Sequence, residues 1–304
     1  MYKPVLIHET TLPSAATAAS RMVDAAAEVL REAGFERIEI PATWLRDSDA
    51  ERILRRVTNR PFPVPAVLCG FIHTSDDYAE LYAALAAKNL RLVNSPAEYV
   101  RCHSLAAAYP HIRGLTPESV IVRDVGAVAE AAWRLGFPLF IKGAVQSRKD
   151  LGWKACLAHS ISEAEQGVAA LLDNYTNSEG AAILRKLVPL RHQFRRPDGF
   201  PIAREFRVIL YQDTPIGIGH YWPEEDPLSE LTEAERSAVC ELAAKVSQQL
   251  RVPYLAIDIA QLENGNWTVI ETGDPQTSGL AKMDVKDCFT RLAERLTGKV
   301  SVVK

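Results

Sequence analysis

Two carboxylates near the C-terminus, Asp258 and Glu271, stand where a hairpin would bring them face to face. Residues 254–262 (YLAIDIAQL) and 267–272 (WTVIET) are rich in β-branched and aromatic side chains, and the Asn264-Gly265 pair between them signals a tight turn. A two-residue turn there pairs Glu263 with Asn266. Counting outwards, Leu262 meets Trp267, Ala260 meets Val269 and Asp258 meets Glu271. Strand alternation then predicts that both acids share one side with these apolar pairs, facing the core. Directly opposed residues have β-carbons about 5 Å apart, and like charges there destabilise the strand pair. Either a cation bridges the acids or one of them keeps its proton. Oxygen donors with no His or Cys beside them suit Mg2+. A turn of another length would slip the register by one residue and put the acids on opposite faces.

Basic residues elsewhere are candidates for opposing an anionic ligand. Lys142 ends the apolar run Pro-Leu-Phe-Ile, so a strand delivers its amine to the mouth of a sheet. Residues 143–152 follow as a polar loop with two glycines, Ser147, Arg148 and Lys149, and Lys154 lies just beyond. Backbone amides and cations in such a loop can hold a polyphosphate, although a solvated basic hairpin reads the same way. Arg185 and Lys186 interrupt the strand AAILRKLV, which either walls a flat base or is an edge strand guarded by charge. Glu205 and Arg207 alternate along one strand and point to one side. They either pair with each other or leave Arg207 to meet a phosphate in bidentate fashion. No Gly-rich nucleotide fingerprint and no nucleophile elbow occurs.

The elements that must position these groups fall into three stretches. Residues 1–95 alternate strands (5–8, 35–40, 65–72, 90–93) with helices (15–33, 44–57, 74–88), which predicts a small Rossmann-like parallel α/β unit. Residues 96–190 read as helices at 96–108, 124–135 and 162–173 with strands at 138–142, 153–159 and 181–188. Residues 191–304 read as an antiparallel set, 203–211, 216–221 and the closing hairpin, crossed by a helix over 231–250. The last two stretches suit a pair of α+β subdomains clasping a ligand, giving an α/β unit followed by α+β lobes.

Composition excludes several classes. A chain of 304 residues, 47% hydrophobic and 24% charged, is that of an ordinary globular protein. Its 35 basic against 38 acidic residues leave a net charge of −3, so a nucleic-acid partner is not indicated. Five scattered cysteines form no metal or disulfide pattern, and neither a leader nor a membrane span is seen. A cytoplasmic protein is the expectation.

Taken in order, the α/β unit, strand lysine, polar loop, hinge strand and late Asp…Glu hairpin resemble the ATP-grasp superfamily. The stretches FIKGAVQSRKDLGWKAC, EFRVIL and DIAQLENGNWTVIETGDPQTSGL resemble a bacterial and phage clade of ATP-grasp domains with poorly defined substrates. The resemblance spans about residues 94–280. It implies an ATP-grasp fold, with 1–95 as a pre-domain and 96–190 and 191–304 as the lobes that clasp nucleotide. It further implies that Lys142, Ser147 and Lys149 contact ATP phosphates and that Lys186 and Leu187 frame the adenine. Lys154 would be a second loop cation and Arg207 would lie near the transferred phosphoryl, both in catalytic roles. Asp258 and Glu271 would hold Mg2+, with Asp274 standing in where the family often has Asn and this chain has Gly273 in the motif. The acid that commonly holds ribose after the hinge is missing, since the first acid there is Asp198. The implied activity is an ATP- and Mg2+-dependent ligase that joins a carboxylate to an amine on a small-molecule or peptide substrate. A kinase-like phosphotransferase and a non-catalytic nucleotide-binding module are the alternatives.

Overall fold

The computed structural model describes residues 3–11, 17–42, 50–148, 151–197 and 199–298. Lys149, Asp198 and the first part of the helix expected over 44–57 lie outside them. Strands β1 (Val5–Thr10), β2 (Glu36–Pro41), β3 (Val64–Cys69) and β4 (Leu90–Leu92) form an all-parallel sheet in the order β2-β1-β3-β4. Helix α1 (Ala18–Glu32) is capped by Thr17 and Ser20, and α2 (Ser75–Ala87) by Thr74, whose hydroxyl accepts from the Asp77 amide. The mixed architecture, a parallel unit followed by antiparallel sheets, is the one the sequence predicts.

The helix expected over 96–108 is two helices, α3 (Pro96–His103) and α4 (Leu105–Ile112), separated at Ser104. Both pack in the core of the C-terminal sheet beside Ile257, Ile259 and Val269, so residues 96–112 are built onto that lobe. The central lobe comprises β5 (Ser119–Val122), helix α5 (Val128–Leu135), β6 (Leu139–Gly143), β7 (Leu157–Ala158), helix α6 (Ile161–Leu172) and β8 (Ala182–Lys186). Its sheet runs β5-β8-β6-β7, antiparallel throughout. Strand β8 is therefore interior, and the edge-strand reading of Arg185 does not hold. The strand expected over 153–159 is a 3-10 turn, Trp153–Cys156, leading into the two-residue β7.

After a small ribbon of β9 (His192–Arg195) and β10 (Pro201–Ala203), the last sheet is built from β11 (Glu205–Tyr211), β12 (Thr214–His220), β13 (Tyr254–Gln261) and β14 (Trp267–Gly273) in the order β12-β11-β13-β14. Helix α7 (Glu233–Leu250) covers the face carrying Leu255, Ile257 and Ile259. Helices α1 and α8 (Val285–Leu296) cover the opposite face around Ile209, Tyr211 and Tyr254. All five cysteines are free thiols. No helix among the described residues is long and apolar enough to cross a membrane.

A buried polar node ties the first sheet to the last. Asn94 donates to the Tyr254 carbonyl and to Asp274, and accepts from the Tyr254 amide. Asp274 also accepts from the Gln276 amide and side chain, while Gln276 accepts from the Leu68 amide of β3. Burial pushes the Asp274 carboxyl up from 3.8 to about 6, against the pull of its Asn94 and Gln276 donors. The native state thus holds this proton more tightly than the unfolded chain, and the group's contribution to stability falls as pH rises from 3.8 to 6. Asp274→Asn should lack that slope in melting temperature against pH. At pH 7 it should also cost about 1–3 kcal/mol, because an amide NH2 would face donors. Urea unfolding of both proteins across pH 4–7 measures the two effects together.

Candidate functional site

The hairpin does bring Asp258 opposite Glu271, but not through the turn the sequence suggests. Leu262 pairs with Asn266 across a three-residue loop in which Gly265 adopts φ +89°. That slip puts Gln261 opposite Trp267, Ala260 opposite Thr268 and Ile259 opposite Val269. A bulge between Asp258 and Ile259 on one side, with Ile270 as the extra residue of β14, then restores the register at Glu271. The expected pairs Leu262–Trp267 and Ala260–Val269 do not form. Val269 joins Ile257 and Ile259 in the apolar core, while Asp258 points from the other face.

The two carboxylates are neutralised by protein cations, a solution the sequence reading does not consider. Arg207, directly across from Asp258 on β11, grips it with two bonds of 2.7 Å. Its remaining nitrogen donates to the Gly279 carbonyl at 2.5 Å, and its guanidinium lies 4.9 Å from the Tyr221 ring centroid. Burial pulls the Arg207 pKa down, but Asp258 outweighs it and holds the value well above the ordinary one. Glu205, the other partner proposed for Arg207, is not the one it takes. Lys142 reaches from β6 of the central lobe to pair with Glu271. This pair crosses the two lobes, with Lys142 only 3% exposed and the Glu271 side chain 29% exposed.

Around them opens a cleft of about 380 Å3, walled by Ser147, Arg207, Tyr221 and Glu271 and closed at one end by Ile72 and His103. Gly143 starts the loop that brings Ser147 there. It donates to the Gln146 carbonyl in a turn so close to Asn177 that a β-carbon would lie 2.2 Å from the Asn177 carbonyl oxygen. Val145 and Gln146 both donate to that same oxygen, and Ala144 and Val145 are buried. The first part of this loop is therefore anchored, although its composition reads as polar throughout.

Of the residues implied by the sequence, the structure gathers Lys142, Ser147, Arg207, Asp258 and Glu271. It sets others apart. Lys154 is exposed on the Trp153–Cys156 turn, and Lys186 (exposed) and Leu187 (half-buried) lead out of β8 without lining the cleft. Asp274 is fully buried in the Asn94–Gln276 node, and no group of three His, Cys, Asp or Glu able to hold a metal occurs among the described residues. The remaining donor set still fits Mg2+ bound together with phosphates, since that ion is commonly held by one or two carboxylates plus ligand oxygens and water. Glu271, partly exposed at the cleft, is the more available of the two.

His103 is not singled out by the sequence. It ends α3 and stacks on Tyr99 with ring centroids 5.0 Å apart, and neither ring nitrogen has a hydrogen-bond partner among the described residues. Burial lowers its pKa to about 4, so the ring facing the cleft is neutral at physiological pH.

Comparison with known proteins agrees with this geometry. The family model for an ATP-grasp domain, the third family of its clade, matches residues 124–293, more than half of the chain. The protein belongs to that ATP-grasp family. Among solved structures it is similar to a RimK domain ATP-grasp protein from Sphaerobacter thermophilus DSM 20745, with a TM-score of 0.58, 16% identity and coverage of 95% of this chain and 99% of that one. It is similar to the D-alanine–D-alanine ligase of Bacillus anthracis complexed with ATP (TM-score 0.59, 11% identity, coverage 98% and 92%). The ATP-grasp ligase PsnB, complexed with a precursor variant, Mg and ADP, matches at TM-score 0.56 with 14% identity, covering 98% and 99%. At these identities the likeness shows the fold. No curated protein matches in sequence.

Mutual repulsion of two opposed acids would make Glu271→Gln stabilising in the metal-free protein. The Lys142 pairing predicts the opposite. Losing the charged partner of a buried amine should cost about 1–3 kcal/mol, below the roughly 3–5 of a fully buried pair because Glu271 is partly solvated. Thermal unfolding without divalent cations decides the sign.

Proposed function

We propose that this ATP-grasp protein is an ATP- and Mg2+-dependent ligase that activates a carboxylate as an acyl phosphate and joins it to an amine. The observation that carries the reading is the cross-lobe meeting of Lys142, Arg207, Asp258 and Glu271 at one cleft. Phosphoryl transfer asks for positioning and charge neutralisation rather than a protein nucleophile, and this set supplies both. Lys142 and the loop bearing Ser147 are the groups that bind phosphate oxygens. Arg207, fixed by Asp258 and stacked on Tyr221, presents a guanidinium whose orientation does not depend on ligand. Asp258 and Glu271 would hold the Mg2+, which, when bound, neutralises charge on the phosphates. Asp274 is left out of that set because its oxygens are already engaged.

The hinge following β8, with Lys186 and Leu187, is the proposed place for the adenine, and the exposed Lys154 the proposed second cation for the phosphates. Similar folds named as ligases, one with ATP and one with Mg and ADP, support the nucleotide and the metal. The latter also carries a precursor, and with the D-alanine ligase it makes a small molecule or a peptide the substrate class.

Hydroxylamine offers a test that needs no knowledge of the natural amine. With ATP, Mg2+ and pools of amino acids or short peptides, the protein should release ADP and form a hydroxamate. Phosphorylated product without hydroxamate would replace the ligase reading with a kinase. Absence of ATP binding by calorimetry would remove the nucleotide altogether. Lys142→Ala should weaken ATP binding by about 2–5 kcal/mol, the range for removing one member of a buried charge pair. Unchanged affinity in a folded variant would take Lys142 out of the site.

A further inference from the structure

The β14 bulge has an unusual support. Ile270, the extra residue, has no place in the ladder with β13, so its carbonyl needs a partner from elsewhere. That partner is Arg185 of the central lobe, whose Nη1 donates to the Ile270 carbonyl at 2.6 Å. Its other nitrogens donate to Ser119 Oγ at 3.2 Å and Thr116 Oγ1 at 3.3 Å. Thr116 in turn donates to the Val269 carbonyl at 2.8 Å, and the Val269 amide donates to the Leu115 carbonyl at 2.9 Å. The bulge is thus held at both residues by groups that belong to the other side of the lobe boundary.

Arg185 is 5% exposed, and among the described residues no carboxylate pairs with it. Burial lowers its pKa to about 10, which leaves it charged at neutral pH. Burying an unpaired cation is expensive, and a neutral donor would satisfy a carbonyl as well. The position explains the charge. Arg185 lies two residues from Ile183, the neighbour of Lys142 across β6, so Arg185 and Lys142 share the sheet face turned to the hairpin. Glu271, next in sequence to Ile270, feels the Arg185 charge.

Without the bulge, the three-residue turn would carry its slipped register through β14. Ile270 would then face Asp258, and Glu271 would turn to the other side of the sheet. We propose that Arg185 is a positioning residue: by clamping the Ile270 bulge from across the lobe boundary, it sets Glu271 opposite Asp258 and toward Lys142. The inference rests on the metal-carboxylate reading above for its functional meaning, while the geometric part stands without it.

The test compares wild type with Arg185→Met, Arg185→Lys and Thr116→Val. Three quantities are read: Mn2+ affinity of the protein–ATP complex by electron paramagnetic resonance, amide hydrogen exchange at Ile270 and Glu271 without metal, and thermal stability. Arg185→Met should weaken Mn2+ binding by about 10–100-fold, the usual cost of losing a group that orients a metal ligand. It should also speed exchange at the two amides, with ATP affinity much less affected. Arg185→Lys should recover part of the loss, and Thr116→Val should show a smaller shift in the same direction. A lower melting temperature with Mn2+ affinity and exchange both unchanged would overturn the proposal and leave Arg185 a structural tie. If Arg185→Met fails to fold, the two milder variants decide, and wild-type Mn2+ affinity and exchange in both would overturn it. If wild type itself binds no Mn2+ with ATP, the metal reading fails. Exchange at Ile270 and Glu271 then judges the clamp alone, faster exchange in Arg185→Met supporting it and identical exchange refuting it.

Discussion

Two acids on adjacent strands repel each other, and the structure resolves that conflict by drawing a cation for each from a different place. Asp258 takes its partner from within its own sheet, through the bidentate Arg207 grip. Glu271 takes its partner from the other lobe, through Lys142. The first pair is local and rigid, fixed by strand pairing between β11 and β13. The second exists only while the lobes are held together. That difference follows from topology, since β14 is the edge strand of its sheet and, among the described residues, has no β neighbour beyond it to supply a charge.

Holding the lobes in register therefore matters as much as the residues of the cleft. Arg185 and Thr116 secure the hairpin from the central side. Asn94, Asp274 and Gln276 secure the C-terminal sheet to the parallel unit. Each node pairs backbone groups that strand ladders leave over, which is why polar side chains appear in otherwise apolar surroundings. Asp274 illustrates the consequence. A carboxylate three residues beyond Glu271 reads as a metal ligand in one dimension, yet three donors from Asn94 and Gln276 hold it in the interior.

The sequence carries much of this because strand periodicity is short-ranged. Lys142 at a strand end, Arg207 within EFRVIL and the pairing of Asp258 with Glu271 all follow from alternation and turn chemistry. Alternation reaches that pairing through a turn one residue too short and a ladder with no bulge, two departures that cancel at Glu271. Nothing local marks Ile270 as the extra residue, since its stabilising partner Arg185 is 85 positions away. His103 is illegible for a similar reason: a histidine ending a helix becomes a cleft wall only when the lobes assemble. The helix Val285–Leu296 is different, because Cys288, Phe289, Leu292, Ala293 and Leu296 recur at a helical spacing that is plain in the sequence.

The Lys142–Glu271 pair has a further consequence for ligand binding. Separating a buried amine from its carboxylate would be costly if either were left alone. On the proposed reading neither is, because phosphate oxygens suit the ammonium and a divalent cation suits the carboxylate. Binding then becomes an exchange of partners in which each charge keeps a neighbour of opposite sign. Nucleotide without metal would satisfy Lys142 and strand Glu271 beside added negative charge, and metal without nucleotide would do the reverse to Lys142. The cross-lobe pair thus couples the two ligands thermodynamically, each improving the site for the other. Arg207 and Asp258, locked to each other in the sheet, stay in place throughout and supply the fixed frame against which that exchange occurs.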